Sequence, residues 1–459
     1  LLVPLCVQAT IKIYSPDALR AEFELRNSEG VIQSSLANFG NPPYGSKILG
    51  RLFKPDVRNE FACDPLPTIE WNVDDHYTAP VLLVKRGLCA FVIKVRHAQD
   101  IGAKVVIVYD DRPENVDLVI MSDNGTGGNL FVPSFLIPHN DGNLLNAALD
   151  DPRYINLIGL SIEFELPQTS DIINYEIWHS SGHLGFRSFL AEFAGVGSSF
   201  SKEVAVFRPH YVLWYCHSCK IAGFNKAEPD CISGGRYCAP DPDQDGPLTG
   251  RDIVLEDLRQ LCVFQQTDKD KSYKLWFNYI KELNSTCTAG ITTPCAEQAL
   301  GNSGVDKSKI DNCITGSVDG SDLLLHENKL LAEERVFWNT SGIAFYPSIT
   351  INNQTYRGDF EPDEVKEALC ASYKNIPNVC KIETDDSDAS SGLSVKTVIL
   401  IVVLSFSGIA GILVLYVLYI RRQYRSDLRK QIGEAVNQYI ALNESMQMQQ
   451  PHATLSAFK

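Results

Sequence analysis

From Thr397 to Ile420 the sequence has no charged residue, and from Arg421 to Lys459 it has no cysteine. The first absence excludes an ordinary surface helix, which needs a polar face. At ~1.5 Å per residue, this run of 24 residues crosses the ~30 Å hydrocarbon layer with room for tilt. The second absence places all 13 cysteines before the run. Histidine is scarce, nine in all, and no His-Glu-x-x-His occurs, which removes the helical zinc-protease motif. Methionine is absent from position 1, and the opening LLVPLCVQA reads as a signal-peptide remnant, residues 1–9, cut after Ala9. Cys6 leaves with that remnant, and the 12 cysteines that remain are an even number suited to disulfides in an oxidising compartment.

Basic residues crowd the far side of the uncharged run: Arg421, Arg422, Arg425, Arg429 and Lys430, in a chain of formal net charge −15. The positive-inside rule therefore sets residues 421–459 in the cytosol and the amino-terminal part in a lumen or outside. Four glycosylation sequons, at Asn124, Asn284, Asn339 and Asn353, fall on the luminal side. The expected topology is a single-pass type I membrane protein with a transmembrane helix at 395–420 and an acidic, serine-rich linker at 381–394.

A luminal part of this length exceeds what one core usually organises, so two units are expected. Residues 10–168 carry short β-patterned runs, Val81–Val84, Val105–Val108 and Ile155–Phe164, around one helix at Phe91–Ile101. Residues 169–380 open on a strand at Ile172–Trp178, a helix near Phe186–Phe193 and a strand at Arg208–Tyr215. They close on Tyr346-Pro347-Ser348-Ile349-Thr350-Ile351, a turn at Asn352-Asn353, and a helix from Pro362 to Tyr373. A cysteine-rich, helix-leaning insert at 216–325 separates these two ends.

Several strings in these units carry a family resemblance. Asn38-Phe39-Gly40, Val84-Lys85-Arg86-Gly87-Leu88-Cys89-Ala90-Phe91 and Ala98-Gln99-Asp100-Ile101-Gly102-Ala103 resemble a protease-associated domain, a β-sandwich or barrel with flanking helices that binds peptides without cutting them. Cys63 and Cys89 are the only cysteines of this domain, so a disulfide between them is expected. The end of the second unit resembles the thioredoxin fold, whose matching proline, here Pro347, is cis. Gly235-Arg236-Tyr237-Cys238-Ala239-Pro240-Asp241-Pro242 and Val254–Val263, with Trp214-Tyr215-Cys216 and Tyr356-Arg357-Gly358 in the same order, resemble the central region of vacuolar sorting receptors. The implied architecture is a β-rich protease-associated domain, an α/β thioredoxin-like domain with a cysteine-rich helical insert, and one transmembrane helix.

The resemblance implies a cargo site at Arg86, Gly87, Leu88, Cys89, Ala90 and Phe91. Arg86 either donates to a peptide's carboxylate or carbonyls or braces the turn. Leu88 and Ala90 replace the acidic residue and tyrosine of the plant receptors, so a changed peptide preference is expected. Ser122–Asn129 reads as a flap beside this loop or as a glycan-bearing surface loop. The thioredoxin active position falls on Ser180-Ser181-Gly182-His183-Leu184-Gly185, without cysteine, which removes redox catalysis there. Cys216-His217-Ser218-Cys219 has redox spacing, or half of a zinc set with Cys231 and Cys238. In an oxidising lumen, separate disulfides to Cys231, Cys238 or Cys262 are expected instead.

Asp241, Asp243 and Asp245 with Gly246 approximate a calcium loop, although Asp252 replaces the usual Glu and prolines sit at places two and seven; a solvated acidic turn is the simpler expectation, and no cofactor is assigned. The scattered histidines are expected to be surface or capping residues, some titrating at acidic luminal pH. The plant receptors' EGF-like repeats have no counterpart after Cys380. Tyr439-Ile440-Ala441-Leu442 is a YxxΦ adaptor signal, Tyr439 and Leu442 being its anchors, and Ser407 and Gly411 form a small-xxx-small pair suited to a homodimer. The expected function is a receptor sorting soluble hydrolase precursors from the Golgi to a vacuole- or lysosome-like compartment, with a clathrin adaptor as cytosolic partner. A luminal thiol–disulfide enzyme and a non-cycling adhesion or scaffold protein are the alternatives.

Overall fold

The computed structural model describes residues 9–381, apart from 70, 72–77, 244–245 and 344. The uncharged run, the linker beyond Lys381, and Tyr439, Leu442, Ser407 and Gly411 lie outside the described residues. Among the described residues, no helix is long and apolar enough to cross a membrane.

The first half runs β1 (Ala9–Ser15), α1 (Asp17–Arg26), β2 (Val31–Ile32), β3 (Ser35–Leu36), β4 (Lys47–Phe53), β5 (Ala79–Lys85), α2 (Phe91–Asp100), β6 (Val105–Tyr109), β7 (Ser134–Ile137), α3 (His139–Asp150) and β8 (Gly159–Phe164). Its eight strands form one sheet in the order β2-β1-β8-β4-β5-β6-β7-β3. The edge strands β2 and β3 are separated in sequence only by Gln33 and Ser34, so the sheet must roll until its edges approach.

The parallel strands β4 to β7 are covered on both faces, as their near-continuous apolar sequence requires. Val81, Leu83, Val105 and Ile107 point into one core with Leu19 and Phe23 of α1 and Leu145 of α3. Leu82, Val84, Val106 and Val108 point the other way, against Val92, Val95 and Ala98 of α2. The period-two alternation of one strand thus builds two cores.

The second half runs β9 (Ile173–His179), α4 (Leu184–Ser199), β10 (Ala205–Tyr211), α5 (His217–Ile221), β11 (Cys231–Ile232), β12 (Tyr237–Cys238), α6 (Gly250–Gln266), α7 (Lys274–Thr286), α8 (Thr293–Ser303), α9 (Lys307–Gly316), α10 (Lys329–Ser341), β13 (Ser348–Ile351), β14 (Gln354–Thr355) and α11 (Pro362–Ala371). β9, α4 and β10 make a parallel βαβ unit, and the sheet order is β10-β9-β13-β14. The Tyr346–Pro347 bond is cis. Asn352 and Asn353 both take positive φ, 50° and 66°, as a tight two-residue hairpin requires. On one sheet face Phe207 stacks on Tyr175 and meets Trp276 of α7; on the other, α10 lays Phe337 and Trp338 over His210 and Trp178.

The halves share a junction. The Tyr44 hydroxyl donates to Arg357 O and accepts from Arg357 N, both at 2.9 Å. The Tyr44 and Tyr356 rings lie 5.7 Å apart, and Asn41 Nδ2 donates to Glu364 at 3.1 Å.

Six disulfides join Cys63–Cys89, Cys216–Cys219, Cys231–Cys238, Cys262–Cys313, Cys287–Cys295 and Cys370–Cys380. The expectation that Cys216 and Cys219 pair separately with Cys231, Cys238 or Cys262 is overturned. Cys216 caps the first turn of α5, its sulfur accepting from Cys219 N at 3.0 Å, and that turn brings the two Cα atoms to 5.2 Å, within bridging reach.

Candidate functional site

The loop Arg86–Ala90 leaves the carboxyl end of the buried strand β5 and feeds α2. Gly87 at φ 115° and Leu88 at φ 65° turn the chain back on itself, a left-handed geometry that costs a non-glycine residue free energy. Two covalent and polar ties hold that turn. Cys89 is bridged to Cys63. Lys94 of α2, fully buried, donates to Phe61 O at 2.6 Å and Gly87 O at 2.7 Å. Burial lowers the Lys94 ammonium to about 8, against the opposing pull of Asp111.

Arg86 is braced from behind. Its Nη1 donates to both carboxylate oxygens of Asp110 at 3.1 Å and to Glu114, and its Cζ stands 5.9 Å over the Phe91 ring. Asp110 is fully buried; desolvation raises its carboxyl pKa while the bonds from Arg112 N and Arg86 oppose it. With Asp110, Asp111 and Glu114 around it, the Arg86 side of the loop repels a carboxylate and suits peptide carbonyls. At the tip, Leu88 is 84% exposed, while Arg86, Gly87, Cys89, Ala90 and Phe91 are half-buried. The loop therefore offers one apolar side chain on a rigid, cross-linked turn.

The thioredoxin active position is covered at Ser180 and Ser181, whereas His183, Leu184 and Gly185 are exposed. Ser180 and Ser181 are buried, Ser181 N donates to Asp257 at 2.9 Å, and the Ser181 hydroxyl donates to Ile253 O at 3.3 Å. Helix α6 of the insert packs on Ser181 and Gly182 through Asp257 and Ile253. Burial pushes the Asp257 carboxyl up to about 8, the two bonds from Ser181 opposing and Glu256 and Glu334 assisting. His183 caps α4 by accepting from Phe186 N.

In the acidic loop, Asp252 is engaged in the capping box of α6, accepting from Thr249 N at 2.9 Å. Asp241 accepts from Asp243 N, and Asp243 from Leu248 N. Asp245 lies outside the described residues, among which no group of three or more potential metal ligands occurs.

A family model described as the vacuolar sorting receptor thioredoxin-like domain matches residues 173–370, and one described as the PA domain matches 48–145. Vacuolar-sorting receptor 2 of Arabidopsis thaliana is 31% identical over 412 residues, 83% of this chain and 63% of its own length. The chain is similar to vacuolar sorting receptors along most of its length. Vacuolar-sorting receptor 1 of Pisum sativum is 29% identical over 420 residues, again 83% of this chain and 63% of that protein. The chain thus spans less than two thirds of the length of these relatives. Among solved structures, a zinc aminopeptidase from Bacillus subtilis matches at 17% identity, 38% of this chain, 37% of that one, and a TM-score of 0.22, a likeness too slight to carry an argument.

Within this sorting-receptor framework the sequons separate. Asn124, Asn339 and Asn353 are exposed, whereas Asn284 is half-buried with its Oδ1 accepting from Arg187 at 3.3 Å. The surface reading of the histidines fails at two positions. His179 is buried, its imidazole lowered by desolvation to about 3, and His210 is buried against Glu334 at 3.1 Å. His179 sits on the inner strand β9, and His210, on the edge strand β10, is covered by Trp178 and by Phe337 of α10. Sequence reasoning missed Asp110, Glu114 and Lys94. Lys94 had a signal: it falls on the same helical face as Phe91, Val95 and Ala98, where a charge needs a partner.

Proposed function

We propose that this chain is a single-pass type I cargo receptor of Golgi, endosomal or prevacuolar membranes. Its luminal halves bind short peptide signals on soluble hydrolase precursors, and Tyr439 and Leu442 recruit a clathrin adaptor that carries the complex to a vacuole- or lysosome-like compartment. One observation supports the luminal part above the others: Leu88, an apolar side chain 84% exposed, is presented on a turn that a disulfide and a buried lysine keep fixed. Rigid apolar anchors at a surface tip are the groups on which binding energy concentrates. Arg86, half-committed to Asp110 and Glu114, orients the loop and offers its remaining donors to peptide carbonyls.

The test is capture of soluble hydrolase precursors by the purified chain. Leu88→Asp is tolerated by the left-handed backbone at this position and is expected to lower capture about tenfold, a loss of roughly 1.4 kcal/mol. Undiminished capture by that variant removes the cargo site from this loop. Tyr439→Ala is expected to shift the receptor's steady-state distribution, and an unmoved distribution removes the adaptor step.

A second reading, a luminal thiol–disulfide enzyme, draws on the Cys216–Cys219 bridge, since Cys216 is half-buried rather than enclosed. Reduction of insulin by the chain, lost in Cys216→Ser, is its signature.

A further inference from the structure

We propose that the Arg357 guanidinium, at the junction of the two halves, binds a carboxylate presented by an extended peptide. The inference deepens the cargo reading by naming a second contact and its charge. Arg357 follows the edge strand β14, and its backbone N and O are both taken by the Tyr44 hydroxyl. Its Cζ lies 5.1 Å over the Phe345 ring, in the segment that leads into the cis Tyr346–Pro347 bond.

The rest of the side chain is unanswered. Its Nε and Nη1 are buried and have no hydrogen-bond partner among the described residues. Other buried or half-buried guanidiniums of the same chain are satisfied: Arg187 by Asn284 and Cys287 O, Arg259 by Glu256, Arg236 by Glu327. Burial lowers the Arg357 pKa, opposed only by Tyr44, and guanidinium remains charged at any physiological pH.

Arg357 as a whole is half-buried, and enclosed charged donors without a partner are unfavourable unless something supplies a counter-charge. The two orphan donors, Nε and Nη1, belong to the rigid planar fork that carboxylates match in pairs. Gln354, three residues earlier, is also buried with its Nε2 unpartnered. β14 is the last strand of its sheet, the position at which an extended chain adds by main-chain pairing. Asp359, Glu361 and Glu364 on the following turn make no ion pair with Arg357; Asp359, desolvated and facing Asp123, Glu361 and Glu364, is raised to about 6.

The experiment uses the full chain purified in detergent and two probes. One is a degenerate peptide pool with a free carboxyl terminus, compared with the same pool amidated. The other is acetate, compared with chloride at equal ionic strength, read as a shift in Tm. The wild-type chain is expected to retain the carboxylate pool about tenfold more tightly than the amidated one, and to gain Tm in acetate. Arg357→Gln should abolish both differences; Arg208→Gln, an exposed arginine elsewhere, should keep them. A response to acetate without peptide discrimination identifies a free-anion site and overturns the peptide assignment.

Equal retention of the two pools by the wild-type chain overturns the proposal, as does discrimination that persists in Arg357→Gln. Should Arg357→Gln fail to fold, Arg357→Lys, which keeps the charge but loses the fork, decides: discrimination undiminished in that variant overturns it. Cargo capture is scored separately, so carboxylate preference absent with capture intact sinks this inference alone.

Discussion

Lys94 shows how one side chain can set the shape of a loop. Its ammonium is buried beneath the turn it supports, tying Phe61 O to Gly87 O across the Cys63–Cys89 bridge. A hydrogen bond from a charged donor is worth about 1.5–3 kcal/mol net, and a buried carbonyl left unpaired adds to the loss. Lys94→Met, which keeps the length of the side chain, is therefore expected to cost about 2 kcal/mol in urea unfolding and to weaken cargo capture along with it. A variant as stable as the parent removes the bracing role. The sequence already hinted at this residue through its place on the apolar face of α2. The carboxylates of Asp110 and Glu114, 24 and 28 residues from Arg86, gave no local signal. They meet the arginine only because β5 and β6 pair in register.

At the scale of elements, α6 decides what the thioredoxin-like unit can do. The sequence shows that cysteine is absent at Ser180–Gly185, but not that Ile253 and Asp257 bond to Ser181. Asp257 carries a measurable consequence. Its folded-state pKa of about 8 exceeds the ordinary carboxylate value, so between pH ~4 and ~8 the folded chain holds a proton the unfolded chain has released. Its contribution is complete at the acidic end of that window and is lost as pH rises through 8, by at most about 1.4 kcal/mol per pH unit. Comparing urea midpoints at pH 5 and pH 8 should show wild type losing stability relative to Asp257→Asn. Parallel pH profiles would show that the carboxyl is ionised throughout.

Across residues 9–381, the core passes without interruption from one half to the other, and Tyr44 stitches the junction by bonding both the N and O of Arg357. Tyr44→Phe removes one hydroxyl and leaves two backbone groups unpaired, at an expected cost of about 1–3 kcal/mol. Limited proteolysis between the halves, around residues 165–172, should accelerate in that variant; an unchanged cleavage rate shows that apolar contact alone holds the junction. That the two halves carry separate sheets was legible because each has its own periodicity and its own family strings. The junction was not, because Tyr44 and Arg357 stand 313 residues apart and neither belongs to a pattern.

By itself the sequence determined three strands of the rolled sheet, β5, β6 and β8, the βαβ start and cis-proline end of the second half, and the absence of cysteine at Ser180–Gly185. Those properties are written in short-range alternation, turn residues and local strings. Only the tertiary structure decided that Cys216 closes on Cys219, that Arg86 leans on its own carboxylates, and that Arg357 is left without one. Pairing of charges and sulfurs depends on distances through space, which chain order alone does not specify.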